Sequence, residues 1–271
     1  MTPTLRTEFK KLLTVRSTYI LMLVFLLLAA FFAFYVHGFK DAGTPAFTGP
    51  SPVDQARASL FVSGSITQMA NIISVAGALI ALLLLAHEYR YNTIVYTLTA
   101  SNSRSKVLAS KVIAVFCLVF VYSVLATAIL LPLVWAGAAA AGHSLPHQDI
   151  NFLTYFGKIL FFCEAFAMSG LLFITLIRNQ VGAIAALLIL PNTVEGLLSL
   201  LLKKNSVYLP FTSLQQVVQP PVINGIKVGA GNRDNTLGYL SAPRGALVFL
   251  AYLVVGYIIA WYLFLRRDAT A

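Results

Sequence analysis

Long apolar runs alternate with short polar segments along the whole chain of 271 residues. Six of the runs reach the length of about 20 residues that a helix needs to cross about 30 Å of hydrocarbon. They lie at about 17–37, 66–86, 107–134, 152–177, 180–202 and 244–265. The pattern therefore predicts six transmembrane helices. Only Arg178 and Asn179 separate the fourth helix from the fifth, which requires a tight turn between them.

The segment before the first run, residues 1–16, has the pattern of an amphipathic helix. Apolar side chains recur at offsets of four, seven and eight residues, at Leu5, Phe9, Leu12 and Leu13. The cations on the other faces are Arg6, Lys10, Lys11 and Arg16. Such a helix lies in the headgroup layer with its apolar face towards the hydrocarbon. An ordinary cytoplasmic tail is the alternative interpretation.

Two of the outer segments predict further helices. Ser51-Pro52-Val53-Asp54 offers a cap, a proline at the first position and an acid in the first turn, so a short outer helix can start there and lead into the second span. The outer segment 203–243 has apolar parts, 207–214 and 217–226, that are too short to cross the membrane but could enter it as re-entrant helices packed against protein. We therefore predict an all-α integral membrane protein, with residues 1–271 forming a single transmembrane domain.

Composition supports the membrane class and excludes a soluble protein. Hydrophobic residues make up 59% of the chain and charged residues 10%, whereas soluble domains carry about 25% charged residues. The net charge of +10 comes largely from cations that flank the apolar runs, so we expect the lipid bilayer, not nucleic acid, as the partner. Counting Lys and Arg predicts cytoplasmic termini in a cell inner or plasma membrane, with eleven of the nineteen cations on the cytoplasmic side.

The polar segment 87–106, between the second and third spans, carries the most specific motif. Its residues read Glu88-Tyr89-Arg90-Tyr91-Asn92-Thr93, and the next span begins with Leu108-Ala109-Ser110-Lys111. This resembles the type-2 ABC exporter permease family, whose members often have Glu-x-x-x-Gly-Thr after the second span and Leu-Ala-x-Lys at the start of the third. Asn92 stands at the glycine position, a mild difference because Asn also tolerates a left-handed backbone. Ser101 stands where a proline is expected, which makes that turn less rigid.

The resemblance implies a permease that pairs with a second permease, either an identical copy or a related chain. Two copies of a separate cytoplasmic ABC ATPase would bind ATP and Mg, so no cofactor is expected in this chain. A short helix over about 93–100 would sit in a groove of the ATPase and transmit its closure. The residues that the resemblance and the loop chemistry assign to this coupling site are Glu88, Arg90, Thr93, Ile94, Val95, Tyr96, Leu98, Arg104 and Lys106.

The residues of this loop support a binding role independently of the resemblance. Ile94, Val95 and Leu98 are apolar side chains on a cytoplasmic projection, where they are expected to seek a protein surface. The alternative is that they pack against the chain's own helices or against lipid headgroups.

Polar side chains inside the apolar runs suggest a translocation path or gate. Such groups are costly in hydrocarbon and usually face protein or water. Those singled out are Gln68 and Asn71 in span two, Glu164 in span four, and Asn192, Glu195 and Ser199 in span five. Pro191 should bend or open the helix just before the span-five group. The alternative role for all of them is hydrogen bonding between helices.

Catalytic and metal motifs are not found in the sequence. It has no Gly-x-x-x-x-Gly-Lys-Ser/Thr phosphate loop, so we expect no ATP hydrolysis by this chain itself. His143 and His147 have a metal-friendly spacing, but Pro146 between them argues against a helix and a metal site. The sequence favours an ATP-driven ABC exporter permease moving a hydrophobic, amphipathic or peptide-like substrate. The alternatives are a secondary transporter or channel using Glu164 and Glu195, and a non-transporting membrane assembly subunit.

Overall fold

The computed structural model describes residues 2–40, 52–99, 103–142, 152–218 and 240–266, and these residues are almost entirely helical, with no strand among them. The α-helices are α1 (Thr2–Thr14), α2 (Arg16–Phe31), α3 (Pro52–Arg90), α4 (Ile94–Thr99), α5 (Arg104–Ala140), α6 (Phe152–Ile177), α7 (Gln180–Ile189), α8 (Glu195–Leu202), α9 (Pro210–Val218) and α10 (Ala242–Arg266). A π-helical stretch, Phe32–Lys40, continues α2, and another, Leu190–Val194, joins α7 to α8. A 3₁₀ turn, Lys203–Tyr208, follows α8. The predicted all-α class is confirmed.

Six helical segments of the described chain are long and apolar enough to cross a membrane. They are Arg16–Lys40, Thr67–Arg90, Arg104–Ala140, Leu153–Ile177, Gln180–Tyr208 and Ala242–Arg266. Their number and order agree with the six predicted runs. The structure extends several of them beyond the predicted run, as in the third, which is helical from Arg104 to Ala140.

The centre of the bundle is the pair α3 and α6, whose apolar parts within Thr67–Arg90 and Leu153–Ile177 are mostly buried. Close approach of the two backbones explains why Gly170 is a glycine, since a Cβ at this position would overlap the carbonyl oxygen of Ala78. A second close contact joins the π-helical stretch of the first span to α5, where Gly38 lies against Gly137. Helices with small residues at the contact pack backbone to backbone, which suits a membrane interior.

The local helix signals of the sequence are found where they were predicted. The helix of span two begins at Pro52, and it runs without a break to Arg90 as a single helix of 39 residues. The fifth span becomes π-helical around Pro191, as expected for a proline that removes one helix hydrogen bond. Two residues link α6 to α7, with Arg178 at φ 57° and Asn179 capping α7 through a hydrogen bond from the Gly182 amide.

The segment that was predicted to lie outside, 203–243, contains the described α-helix α9. Its apolar side chains are buried against α6 and α10, and Phe211 contacts the rings of Phe166 and Phe249. This helix covers most of the predicted apolar part 207–214. The second predicted part, 217–226, lies mainly outside the described residues, as do Ser101, His143 and His147.

Candidate functional site

The end of the bundle that contains α4, which we name the α4 end, is where the predicted coupling residues meet. The chain leaves α3 at Arg90 and turns through Asn92, whose φ of 53° is the left-handed conformation anticipated at the motif's glycine position. The helix α4 then runs from Ile94 to Thr99. Ile94 is 1% exposed and belongs to the main core, so α4 is fixed to the rest of the chain by its first residue.

A buried cluster of two acids and two lysines lies directly beneath α4. Lys111 Nζ donates hydrogen bonds to Glu8 Oε2 at 2.9 Å and to Glu88 Oε1 at 2.7 Å. Lys11 Nζ donates to the same Glu88 oxygen at 2.6 Å and to Glu8 Oε1 at 3.1 Å. Each acid therefore bridges both lysines. We call these four residues the ion cluster.

The ion cluster ties together three helices that are distant in the sequence. Glu8 and Lys11 come from α1, Glu88 from the end of α3, and Lys111 from the beginning of α5. Lys11 Nζ also lies 3.4 Å from Thr97 Oγ1, which adds α4 to the network. The amphipathic helix and two spans are thus joined by charge, and α4 is joined to them by a hydrogen bond and by apolar packing.

Charge balance explains how these groups tolerate burial. The Lys111 side chain is fully buried, and Glu8 and Glu88 are nearly so. Removing ions from water costs several kcal/mol each unless partners compensate, and here two carboxylates match two ammonium groups. For Lys11, burial lowers the pKa, but the hydrogen bonds to Glu88 and Glu8 and their negative charges outweigh it, so the pKa lies above 10.5.

The exposed side of α4 offers a surface made mainly of aromatic and polar side chains. Tyr96 is 75% exposed and Tyr91 is 63% exposed. Thr93 is exposed, and Arg90 lies over the ring of Tyr91 at 5.6 Å. Val95 and Leu98 are half-buried against the main core. Most of the apolar surface of α4 is therefore covered by the chain itself, and the tyrosines are what a partner would meet.

Two predicted coupling residues lie at the beginning of α5. Ser103 caps this helix by accepting a hydrogen bond from the Lys106 amide, while the Lys106 side chain is exposed. Arg104 donates a hydrogen bond to the carbonyl oxygen of Leu265 at 3.3 Å. The last turn of α10 is therefore held at the α4 end.

Sequence reasoning named Glu88 as a site residue but missed Glu8, Lys11 and Lys111 as its partners. A signal was present, because Lys111 falls at the lysine position of the quoted motif. A lysine eight positions into a span of this length must also find a counter-charge, since a lone ammonium group is expensive there.

At the opposite end, which we name the α9 end, two of the predicted path residues lie on α3. Asn71 Oδ1 accepts a hydrogen bond from Gln215 Nε2 at 2.9 Å, so it joins α3 to α9. Gln68, one turn away, is exposed. Asn71 therefore makes an inter-helix contact, whereas the Gln68 side chain is exposed.

Glu195 holds the beginning of α9. Its carboxylate accepts hydrogen bonds from the backbone amides of Phe211 at 2.8 Å and Thr212 at 2.6 Å, and from Thr212 Oγ1 at 2.8 Å. An acid at a helix N-terminus satisfies amides that have no partner within the helix and interacts favourably with the helix dipole. Asn192 and Ser199 bond to carbonyl oxygens of their own helix, those of Leu188 and Gly196.

Glu164 differs from the other predicted path residues. It lies at the middle of α6, is 8% exposed, and both of its carboxylate oxygens are buried without a hydrogen-bond partner among the described residues. Most buried polar groups have a partner, so an exception needs a physical explanation. Among the acids whose side chains the structure describes, it is the one that no contact accounts for.

The comparison with known families agrees with this geometry. The model of the family described as ABC-2 family transporter protein matches residues 4–191. The chain belongs to the ABC-2 transporter family. The match begins in α1 and ends at the π-helical stretch of span five, so it includes all four residues of the ion cluster. A search of curated proteins finds no match. As an ABC-2 family member with six apolar helices, the chain is a permease-type membrane subunit.

Proposed function

We propose that this ABC-2 chain is the permease subunit of an ATP-driven exporter, and that α4 is the helix on which the ATPase acts. The observation that carries the proposal is the ion cluster, which joins α1, α3 and α5 through opposite charges and meets α4 at the hydrogen bond from Lys11 Nζ to Thr97 Oγ1. A group of helices that is joined in this way moves as one body when α4 is displaced.

The transmission follows from how α4 is held. Ile94 fixes its first turn in the core, and Thr97 meets Lys11 on the next turn. A push on the exposed tyrosines is therefore passed to the amphipathic helix and to the spans that hold Glu88 and Lys111. The attraction between opposite charges 2.6–2.9 Å apart at low dielectric resists their separation, so the cluster can shift as a unit more easily than it can come apart.

The charge distribution supports the orientation and the partners. Two acids occur among the described residues at the α4 end, and both lie in the ion cluster, while Arg6, Lys10 and Lys106 remain exposed. An excess of cations marks the cytoplasmic side. In this proposal the α4 end and both termini are cytoplasmic, the cell inner or plasma membrane holds a pair of permeases, and two ATPase subunits bind ATP and Mg below them.

The substrate in this proposal is a hydrophobic, amphipathic or peptide-like compound. Span five supports this class, because few of its side chains are buried in the single chain and its exposed apolar side chains include Val181, Leu200 and Leu201. Such a face is available to a second permease and to an apolar cargo between the two.

The test of the ATPase contact uses two exposed tyrosines at different ends of the bundle. Tyr96→Ala removes a tyrosine of α4 that is 75% exposed, and Tyr208→Ala removes a tyrosine beyond α8 that is 52% exposed. We expect Tyr96→Ala to reduce recovery of the copurifying ATPase by about tenfold, the usual effect of losing an aromatic anchor. Tyr208→Ala should leave recovery unchanged. Equal recovery with both variants would contradict the proposal.

A second candidate function rests on Glu164. A carboxyl group without a partner at the middle of a span is the kind of group that binds a coupling ion or a proton in a secondary transporter. Glu195, the other acid of that hypothesis, is already occupied by the first amides of α9. Transport that persists without ATPase and stops in Glu164→Gln would favour this candidate over the exporter.

A further inference from the structure

A cavity of about 390 Å³ lies beside the ion cluster, within the range of about 300–1,000 Å³ typical of small-molecule sites. It is bounded by α1, by the beginning of α2, by the last turns of α3 and by α4. Its walls are apolar on the side of the spans, where Leu21, Ile80, Leu83 and Leu84 line it. At its other end it meets Lys11 and Glu88. The cavity is therefore amphipathic, with an apolar body and a charged end.

The charged end presents one group of each sign. Lys11 and Glu88 are in direct contact at 2.6 Å, and with Glu8 and Lys111 they form a cluster whose formal charges cancel. A ligand with a net charge would disturb this balance in a buried place. A zwitterionic ligand would preserve it, since its cation can pair with Glu88 and its anion with Lys11.

Glu88 also has an unused acceptor. Its Oε1 atom receives both lysines, but its Oε2 atom is buried and has no hydrogen-bond partner within the described part of the chain. The terminal torsion of a glutamate is soft, so a modest rotation presents this oxygen to the cavity that Glu88 lines. A buried acceptor without a donor costs about 1–3 kcal/mol, so a ligand that supplies an N–H group gains by binding here.

We propose that this cavity binds a zwitterionic aminophospholipid of the phosphatidylethanolamine type from the leaflet at the α4 end, with an acyl chain among the apolar side chains, its ammonium group donating to Glu88 and its phosphate accepting from Lys11. The position of the cavity supports a lipid, because the helices that bound it include the amphipathic α1 and the beginning of the first span. Such a lipid becomes part of the contact between α3 and α4. The binding proposal does not depend on whether α4 contacts an ATPase.

The first experiment varies the headgroup and leaves the protein unchanged. The full-length chain is exchanged into mixed lipid–detergent micelles containing phosphatidylethanolamine, its monomethyl or dimethyl form, or phosphatidylcholine, and retained lipid is counted by native mass spectrometry. The first three keep at least one N–H donor and phosphatidylcholine has none. We expect retention to fall by roughly tenfold at the last methylation, the effect of losing one charge-assisted hydrogen bond.

Two other patterns would overturn the proposal. A gradual fall along the methylation series would indicate selection by headgroup size and not by a donor to Glu88. Equal retention of all four lipids would assign the cavity to any acyl chain or detergent.

The second experiment tests the location with matched variants. Leu83→Trp fills the apolar part of the cavity, and Leu27→Trp makes the same change on α2 at a leucine that is 60% exposed and does not line the cavity. We expect Leu83→Trp to lose at least tenfold of the retained phosphatidylethanolamine and Leu27→Trp to retain it. Circular dichroism and thermal unfolding establish that both variants are folded. A folded Leu83→Trp that binds as the control does would place the lipid elsewhere and overturn the assignment.

Discussion

The Nζ atom of Lys111 lies 2.7 Å from Oε1 of Glu88, and the Lys111 side chain is completely buried. The two residues are 23 positions apart, on either side of α4. Their contact joins the end of α3 to the beginning of α5. The segment between them, which contains α4, is therefore held at both of its ends. A lysine at this depth is costly without a carboxylate, which makes the pair a requirement of the fold as well as a candidate part of the coupling.

Loss of the buried lysine should destabilise the chain. Lys111→Met leaves Glu8 and Glu88 with Lys11 as their one cation in the cluster, so we expect a cost of about 3–5 kcal/mol, typical of removing one partner from a buried ion pair. Thermal unfolding in detergent measures it. Lys106→Met is the control, because that side chain is exposed on the same helix. A Lys111→Met variant as stable as the control would show that the buried charges are not needed.

Removal of the matching acid should restore part of that loss. In the double variant Glu8→Gln with Lys111→Met, Lys11 and Glu88 remain as a balanced pair, so the excess negative charge is gone. We expect the double variant to be more stable than Lys111→Met alone by roughly 1–2 kcal/mol, since residues in one network are coupled. Additive destabilisation by the two changes would contradict a shared cluster.

Part of this site was predictable from the sequence, and part was not. Glu88 and Asn92 are neighbours in the motif, so their roles in the turn follow from local pattern, and Asn92 has the left-handed backbone that its position indicated. Glu8 could not be connected with Lys111, because 103 residues separate them and helix periodicity says nothing about which helices touch. The contact arises only when α1 lies across α5.

The six spans were predictable because the hydropathy of a helix is a local property of the sequence. Hydropathy measures what a helix would gain in lipid, which does not depend on its neighbours. Packing does depend on them, so a glycine in an apolar run does not by itself indicate which helix it contacts. Gly77 does lie against Val119 and Ala167, whereas Gly182 meets only residues of its own turn and the preceding one.

Coupling should depend on the charge of Glu88. Glu88→Gln keeps the shape of the side chain but removes its charge attraction for Lys11 and Lys111. A displacement of α4 should therefore produce a smaller movement of α1, α3 and α5. We expect transport in reconstituted vesicles to fall by about tenfold, corresponding to about 1.4 kcal/mol, while ATP hydrolysis by the partner continues. Lys10→Gln, an exposed change on α1, should leave both rates unchanged. Parallel loss of hydrolysis and transport would indicate failed assembly instead.

Alkaline pH should destabilise the chain through Lys11. Its pKa in the folded protein is raised above 10.5, so the stabilisation it gives is fully present below that value and is lost as pH rises through the folded pKa. Unfolding temperatures measured between about pH 9 and 12 should fall less steeply in Lys11→Met than in the unchanged chain. Lys10→Met serves as the control. Identical slopes for Lys11→Met and the unchanged chain would contradict a stabilising charge at this position.

The hydrogen bonds that Glu195 accepts from the first residues of α9 should contribute measurably to the free energy of unfolding. Glu195→Ala leaves the amides of Phe211 and Thr212 without an acceptor, and loss of a helix cap costs about 0.5–2 kcal/mol. Glu195→Gln keeps one acceptor oxygen and should recover part of that loss. Ser199→Ala removes a hydroxyl that bonds only to its own helix and should be close to neutral. If Glu195→Ala matches Ser199→Ala in stability, the role of Glu195 lies in the transport path and not in holding α9.

The contact between α3 and α6 predicts a strong difference between two glycines of the same helix. A Cβ at Gly170 would overlap the carbonyl oxygen of Ala78, whereas a Cβ at Gly157 meets nothing within 4 Å. Gly170→Ala must therefore push the two central helices apart, which we expect to cost about 1–3 kcal/mol, the usual range for overpacking. Gly157→Ala should be neutral or stabilising by about 0.5–1 kcal/mol, because alanine favours the helix over glycine. Thermal unfolding of both variants compares them directly, and equal stability would mean that α3 and α6 do not approach this closely.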